Sequence, residues 1–130
     1  MRTILAIVCI ILLAACSKKS TINPGTLRGH YSGQQQFVTL TYILIYPFDM
    51  EISLNGTSWE AKVKDKPGTI FSLSGDYTIK KDSAKFTNHN TGQNAPALLN
   101  TNYKVTVRGD SLYLENVIKG NGEIYALKRN

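Results

Sequence analysis

The feature that most restricts how this chain can fold is the alternation in residues 48 to 63, FDMEISLNGTSWEAKV. Phe48, Met50, Ile52 and Leu54 alternate with Asp49, Glu51 and Ser53. A period of two belongs to a half-buried strand, not a helix. Asn55-Gly56 tolerates positive φ at both positions and so signals a two-residue hairpin loop. Such a loop pairs Leu54 with Thr57, Ile52 with Trp59, Met50 with Ala61 and Phe48 with Val63. Every apolar residue then shares one face, and a one-residue slip would turn that face outward.

The same test succeeds downstream. A loop at Lys81-Asp82 pairs Ile79 with Ala84 and Tyr77 with Phe86. A loop at Gly109-Asp110 pairs Val107 with Leu112 and Val105 with Leu114. A loop at Asn121-Gly122 pairs Ile118 with Tyr125 but sets Leu127 against Asn116, so its apolar set is only partly consistent. With an opening strand near Gly29 to Phe37, the chain reads as an antiparallel meander of about eight to nine strands. No helical periodicity of useful length follows residue 27. Leu27 and Tyr31, Leu73 and Tyr77, and Leu99 and Tyr103 repeat a leucine and a tyrosine four apart, on one strand face. A meander with one apolar face must close into a barrel or pack as a sandwich, because bare edges invite aggregation. Eight strands leave room for packed side chains or one small ligand.

The string LRGHYSG, ISLNGTSW, LSGDYTIKKDSAKF, NYKVTVRGDSLYLE and IYALKRN resembles the small lipocalin-like lipoproteins of Gram-negative envelopes. The shared pattern is a G-x-Y-x-G opening strand, an N-G hairpin, a G-x-Y hairpin, a G-D-S-L hairpin and a closing Y-x-L-K-R strand. It covers roughly residues 27 to 130 and implies an all-β, up-and-down, lipocalin-like barrel. It carries no catalytic motif. Thr101 replaces the glycine of the G-x-Y pattern before Tyr103, which leaves the turn geometry there open.

The N-terminus points to export. Arg2 precedes an uncharged run from Ile4 to Ala15. About 12 apolar residues are too few for a bilayer core, which needs roughly 20. A basic residue before a short apolar block is signal-peptide architecture. The block ends Leu13-Ala14-Ala15-Cys16, which resembles the bacterial lipoprotein box. That resemblance implies removal of residues 1 to 15 and a diacylglycerol on the Cys16 thiol. An ordinary signal peptide that happens to contain Cys16 is the alternative. The other cysteine, Cys9, lies inside the removed block, so the mature chain would hold no disulfide. Ser17 after the lipidated cysteine resembles default sorting to the outer membrane. Residues 16 to 26, with Pro24 and Gly25, read as a lipidated flexible tether, and residues 27 to 130 as one domain.

The whole chain has 15 basic and 9 acidic residues. Removing Arg2 leaves a net charge of +5. Export argues against a nucleic-acid partner, and the lysines mostly alternate with apolar residues, as on a solvated strand face. Attraction to anionic lipid headgroups beneath the tether is the sharper reading of the same charges. From Gly29 to Phe48 no residue is formally charged. Residues 37 to 46, FVTLTYILIY, are therefore either a long strand packed on both sides or an exposed patch for a partner.

Chemistry is sparse. His30 and His89 have no His, Cys or Asp at metal-ligand spacing. Asp49 and Glu51 share a strand face but alternate with core residues, with Lys62 on the neighbouring strand to neutralise them. No nucleophile elbow or phosphate-cradling glycine loop is present. The expectation is a protein that is not an enzyme, with no catalytic residue, metal or cofactor. Cys16 is the lipid attachment point. Tyr31, Trp59, Tyr77, Tyr103 and Tyr125 form the core or line a ligand cavity. The expected partners are the membrane, through the lipid on Cys16, and a small apolar ligand or an envelope protein. The segment from Thr87 to Pro96 is a second candidate contact for such a protein.

Overall fold

A computed structural model describes residues 27 to 39, 48 to 90 and 95 to 130. Eight strands follow in chain order: β1 (Arg28–Val38), β2 (Phe48–Asn55), β3 (Ser58–Lys64), β4 (Ile70–Lys80), β5 (Ser83–Asn88), β6 (Asn102–Arg108), β7 (Ser111–Ile118) and β8 (Asn121–Arg129). Each pairs antiparallel with its sequence neighbours, and β8 pairs with β1 to close the barrel. Among the described strands, closure leaves no edge to template aggregation. Cys16, residues 1 to 26 and residues 40 to 47 of the uncharged stretch lie outside the described residues.

Two hairpins match their expected registers. Tyr77 faces Phe86 and Ile79 faces Ala84 across the Lys81-Asp82 turn, and Val105 faces Leu114 across Gly109-Asp110. The β2–β3 hairpin is shifted by two residues from the expectation: Leu54 faces Trp59, Ile52 faces Ala61 and Met50 faces Val63. A shift of two keeps every side chain on its face, so the apolar set survives intact. The reason is local and electrostatic. Asn55 Oδ1 accepts hydrogen bonds from Ser58 N at 3.0 Å and Ser58 Oγ at 2.9 Å, which closes a wider loop with Gly56 at φ 109°. The observed register also opposes Asp49 to Lys64 and Glu51 to Lys62. The expected one would have set Glu51 against Glu60, and like charges directly opposite are destabilising.

The β7–β8 hairpin corrects the sequence reading more deeply. Its turn is Lys119-Gly120, at φ 50° and 79°, not Asn121-Gly122. Leu114 therefore faces Tyr125 and Leu112 faces Leu127, which removes the mismatch of Leu127 with Asn116. The third leucine–tyrosine pair departs from the strand reading as well. Leu99 has φ 51° and precedes β6, yet it is fully buried beside Tyr103.

The barrel has two distinct ends. Leu27 and the β2–β3, β4–β5 and β6–β7 turns lie at the end where the described chain begins, labelled the tether end after the expectation for residues 16 to 26. The β3–β4 loop, residues 95 to 101 and the Lys119-Gly120 turn lie at the far end. At the tether end, Tyr77 Oη donates to Leu27 O at 2.6 Å and accepts from Gly56 N at 2.7 Å, which ties the incoming chain to the first turn. At the far end, Leu98 and Leu99 are buried and join the hydrophobic core. The β5–β6 seam is the shortest, with three paired residues. It is reinforced by Phe86 N to Thr101 O, Val105 N to Asp82 O and Asn88 N to Asn100 Oδ1.

Candidate ligand-binding site

Strand alternation decides which side chains look inward. Of the residues expected in the core or a cavity, Tyr31, Trp59, Tyr77, Tyr103 and Tyr125 are all buried. Four of them are linked through a residue the sequence reading had not singled out, Phe86. Its ring stacks on Tyr77 at 5.3 Å, meets Tyr103 edge-on at 5.7 Å and lies 6.3 Å from Trp59; Tyr103 in turn meets Tyr125 edge-on at 5.6 Å. Such pairs contribute about 0.5–1.5 kcal/mol each beyond their buried area. Tyr31 stands apart from this chain of rings and donates to Arg28 O at 3.3 Å. The interior between Trp59 and Tyr125 is thus occupied by aromatic side chains.

The far end of the interior is polar. Glu123 accepts hydrogen bonds from both buried tyrosines there, Tyr103 Oη on Oε1 and Tyr125 Oη on Oε2. Leu99 N donates to Tyr125 Oη at 3.1 Å. Residues 99 and 103 are thereby tied to β8. Burial first, and the Glu123 charge second for Tyr103, holds the Tyr103 hydroxyl far above its ordinary value of 10.0. Burial also raises Tyr125, with Tyr103 and Glu123 adding to it.

Gln35 completes this end. It lies on β1 between Phe48 and Tyr125, its neighbours on β2 and β8, and is 0 % exposed. Neither its amide nitrogen nor its amide oxygen has a hydrogen-bond partner. Among the described residues, Trp59 Nε1 is the other buried side-chain atom without one. Asn88, by contrast, is satisfied: its Nδ2 donates to Leu98 O at 2.7 Å and its Oδ1 accepts from Asn90 N at 2.8 Å. An unpaired buried polar group costs about 1–3 kcal/mol. Gln35→Leu is accordingly expected to raise stability by about 1–2 kcal/mol, read as a higher urea midpoint at unchanged m-value. A lowered midpoint would show that the amide is bonded in solution.

Compared with known proteins, the chain matches no family model, no curated protein and no solved structure.

Other groups have ordinary roles. His30 Nδ1 lies 2.7 Å from Ser53 Oγ, and His89 Nε2 lies 3.0 Å from Asp76 Oδ2 in an exposed pair. Among the described residues no three His, Cys, Asp or Glu side chains gather as metal ligands. Asp49 and Glu51 point outward, each opposite a lysine. A shallow groove of about 560 Å³ crosses the outer wall of β1 to β4, between Glu51, Glu60, Lys62 and His30. The large apolar side chains exposed among the described residues are Phe37, Ile70, Val117 and Ile118. All four lie at the far end, on the last two residues of β1 and β7 and the first of β4. Period two could have revealed Gln35, which follows Tyr31 by four, and Glu123, which precedes Tyr125 by two. The misplaced last turn concealed the second.

Proposed function

We propose that the mature chain is a non-catalytic lipoprotein of the cell envelope, held by lipid on Cys16 to the outer membrane of a Gram-negative bacterium. Its barrel binds a small, largely apolar molecule at the far end. The observation that carries the binding reading is Gln35, a fully buried amide without a partner beside the Tyr103, Glu123 and Tyr125 network. A ligand group able to donate and accept would satisfy that amide, while the apolar far-end rim would cover the rest. Native mass spectrometry of protein purified gently from its own envelope is expected to show a retained small molecule, lost in Gln35→Leu. Bare polypeptide from the wild type would overturn the ligand reading.

A second reading, an interaction module for another envelope protein, is favoured by the exposed Phe37, Ile70, Val117 and Ile118. A photoreactive residue at position 118 should then give one discrete adduct in intact cells, and its absence would remove this reading.

The anchor has its own test. Cys16→Ser is expected to abolish acyl labelling and to lower membrane partitioning sharply, since the acyl chains' contribution of about 0.8 kcal/mol per buried CH₂ is lost. Unchanged labelling would refute the lipoprotein assignment.

A further inference from the structure

The barrel's charges are not spread evenly between its two ends. At the tether end, Arg28, Lys80, Lys81, Arg108, Lys128 and Arg129 are all exposed. Among the described residues, these six cations stand with the turn carboxylates Asp82 and Asp110, the latter 3.7 Å from Lys128 Nζ, and with Asp76, which lies opposite Ser58 beside the first turn and contacts His89. At the far end the described charges are Lys64, Lys66 and Lys119 with Asp49, Asp65 and Glu123, and Asp49 lies opposite Lys64. Asp65 is engaged by its own loop, accepting from Gly68 N at 2.9 Å and Thr69 N at 2.6 Å. Among the described residues, the large exposed apolar side chains belong to the far end. The molecule is therefore polarised along its axis, basic where the chain enters and apolar where it is most distant from that entry.

We propose that the tether end is a docking surface for anionic lipid headgroups of the leaflet that holds the Cys16 lipid, so that the barrel stands on the bilayer with its far end pointing away. This rests on the lipoprotein reading above. Two observations support the occupant. The first is charge complementarity: a basic residue near an anionic bilayer surface favours binding by about fivefold. The second is chain length. Only residues 17 to 26 separate Cys16 from the barrel, and ten residues span at most about 35 Å. Leu27 enters at the basic end, so that end is the one held nearest the surface. The attraction acts within a Debye length of about 8 Å at physiological salt, a gap the tether can close.

The arrangement gives the two ends separate tasks. The basic end fixes orientation, and the end that carries Gln35, Glu123 and the apolar rim faces outward to whatever the barrel binds.

Two measurements test it. The first uses the full chain from residue 16 with Cys16→Ser, so that no acyl chain contributes. It is mixed with vesicles of phosphatidylcholine and phosphatidylglycerol in equal amounts. Lys80→Gln, Lys81→Gln and Arg108→Gln together are expected to lower partitioning by about 100-fold. Lys64→Gln, Lys66→Gln and Lys119→Gln together, which remove the same charge from the far end, are expected to lower it less than about threefold. Equal losses, or no binding by the parent chain, would overturn the proposal. The second uses the lipidated chain, its acyl mass confirmed beforehand, with a fluorophore on Asp82→Cys or Asn121→Cys. Brominated lipid in the same anionic vesicles should quench the label at 82 and spare the label at 121. Equal or reversed quenching overturns the orientation while leaving the lipoprotein reading intact. Absence of acyl mass overturns that reading instead.

Discussion

Gly75→Ala is expected to destabilise the barrel by about 4 kcal/mol or more, a large part of the roughly 5–15 kcal/mol that holds a domain folded. Gly75 sits in the middle of β4, opposite Trp59 on one side and Asn88 on the other. A Cβ there would lie 1.8 Å from Thr87 O and 2.8 Å from Trp59 Nε1. The first of these atoms is backbone and cannot rotate away. It moves only if β5 moves, and β5 carries Phe86, the ring that joins Tyr77, Tyr103 and Trp59. The second belongs to the largest side chain in the core, at 0 % exposure. One methyl group therefore strains a strand pair and the aromatic stack together. Gly109→Ala is the control. Nothing lies within 4 Å of the added Cβ, and only its φ of 60° opposes the change, at about 1 kcal/mol. Urea unfolding of the three proteins checks the ranking. A loss below about 1 kcal/mol for Gly75→Ala would mean that β4 and β5 separate easily, contrary to their continuous pairing.

Alkaline unfolding is the second large effect. An unfolded tyrosine ionises near 10.0, whereas Tyr103 and Tyr125 keep their protons well above that when folded. Between the two values the folded state binds more protons than the unfolded one. The stability these hydroxyls contribute is thus complete below pH 10 and falls as pH rises past it. Each such group contributes a slope approaching about 1.4 kcal/mol per pH unit, so the two together approach about 3. Unfolding midpoints at pH 8, 9, 10 and 11 should show a plateau and then a steep decline. Burial raises Tyr77 as well, so Tyr103→Phe should flatten that decline by about a third to a half. A midpoint that falls evenly from pH 8 would point to other groups.

How much was legible depended on which signal each residue carries. The β4–β5 and β6–β7 hairpins were readable because their turns sit midway between matched apolar runs, Tyr77 with Phe86 and Val105 with Leu114. The β2–β3 face was readable for the same reason, but not its register. Alternation repeats every two residues, so it cannot distinguish registers two apart. The Asn55 side chain and the cross-strand charge pairs made that choice. At β7–β8 the strong Asn121-Gly122 turn signal lost to Lys119-Gly120, because only the latter brings Leu112 onto Leu127. The tyrosines were readable as core or cavity wall. Gln35 and Glu123 do not stand out in the sequence, since their placement depends on β8 pairing with β1, and Phe86 does not, since its role is to bridge rings from β3, β4 and β6.

By itself the sequence determined an all-β meander with one apolar face, because period two and turn residues are local properties of the chain. It also determined the expectation of a lipid on Cys16, because a signal-peptide cut site is read as a short linear motif. Period two left barrel or sandwich open and the resemblance implied the barrel that the structure shows; the tertiary structure alone decided the registers, the unpaired amide of Gln35 and the gathering of basic charge at one end and apolar side chains at the other. These depend on which strands become neighbours and where each turn falls, and pairing between distant residues is set by the energy of the whole closed sheet.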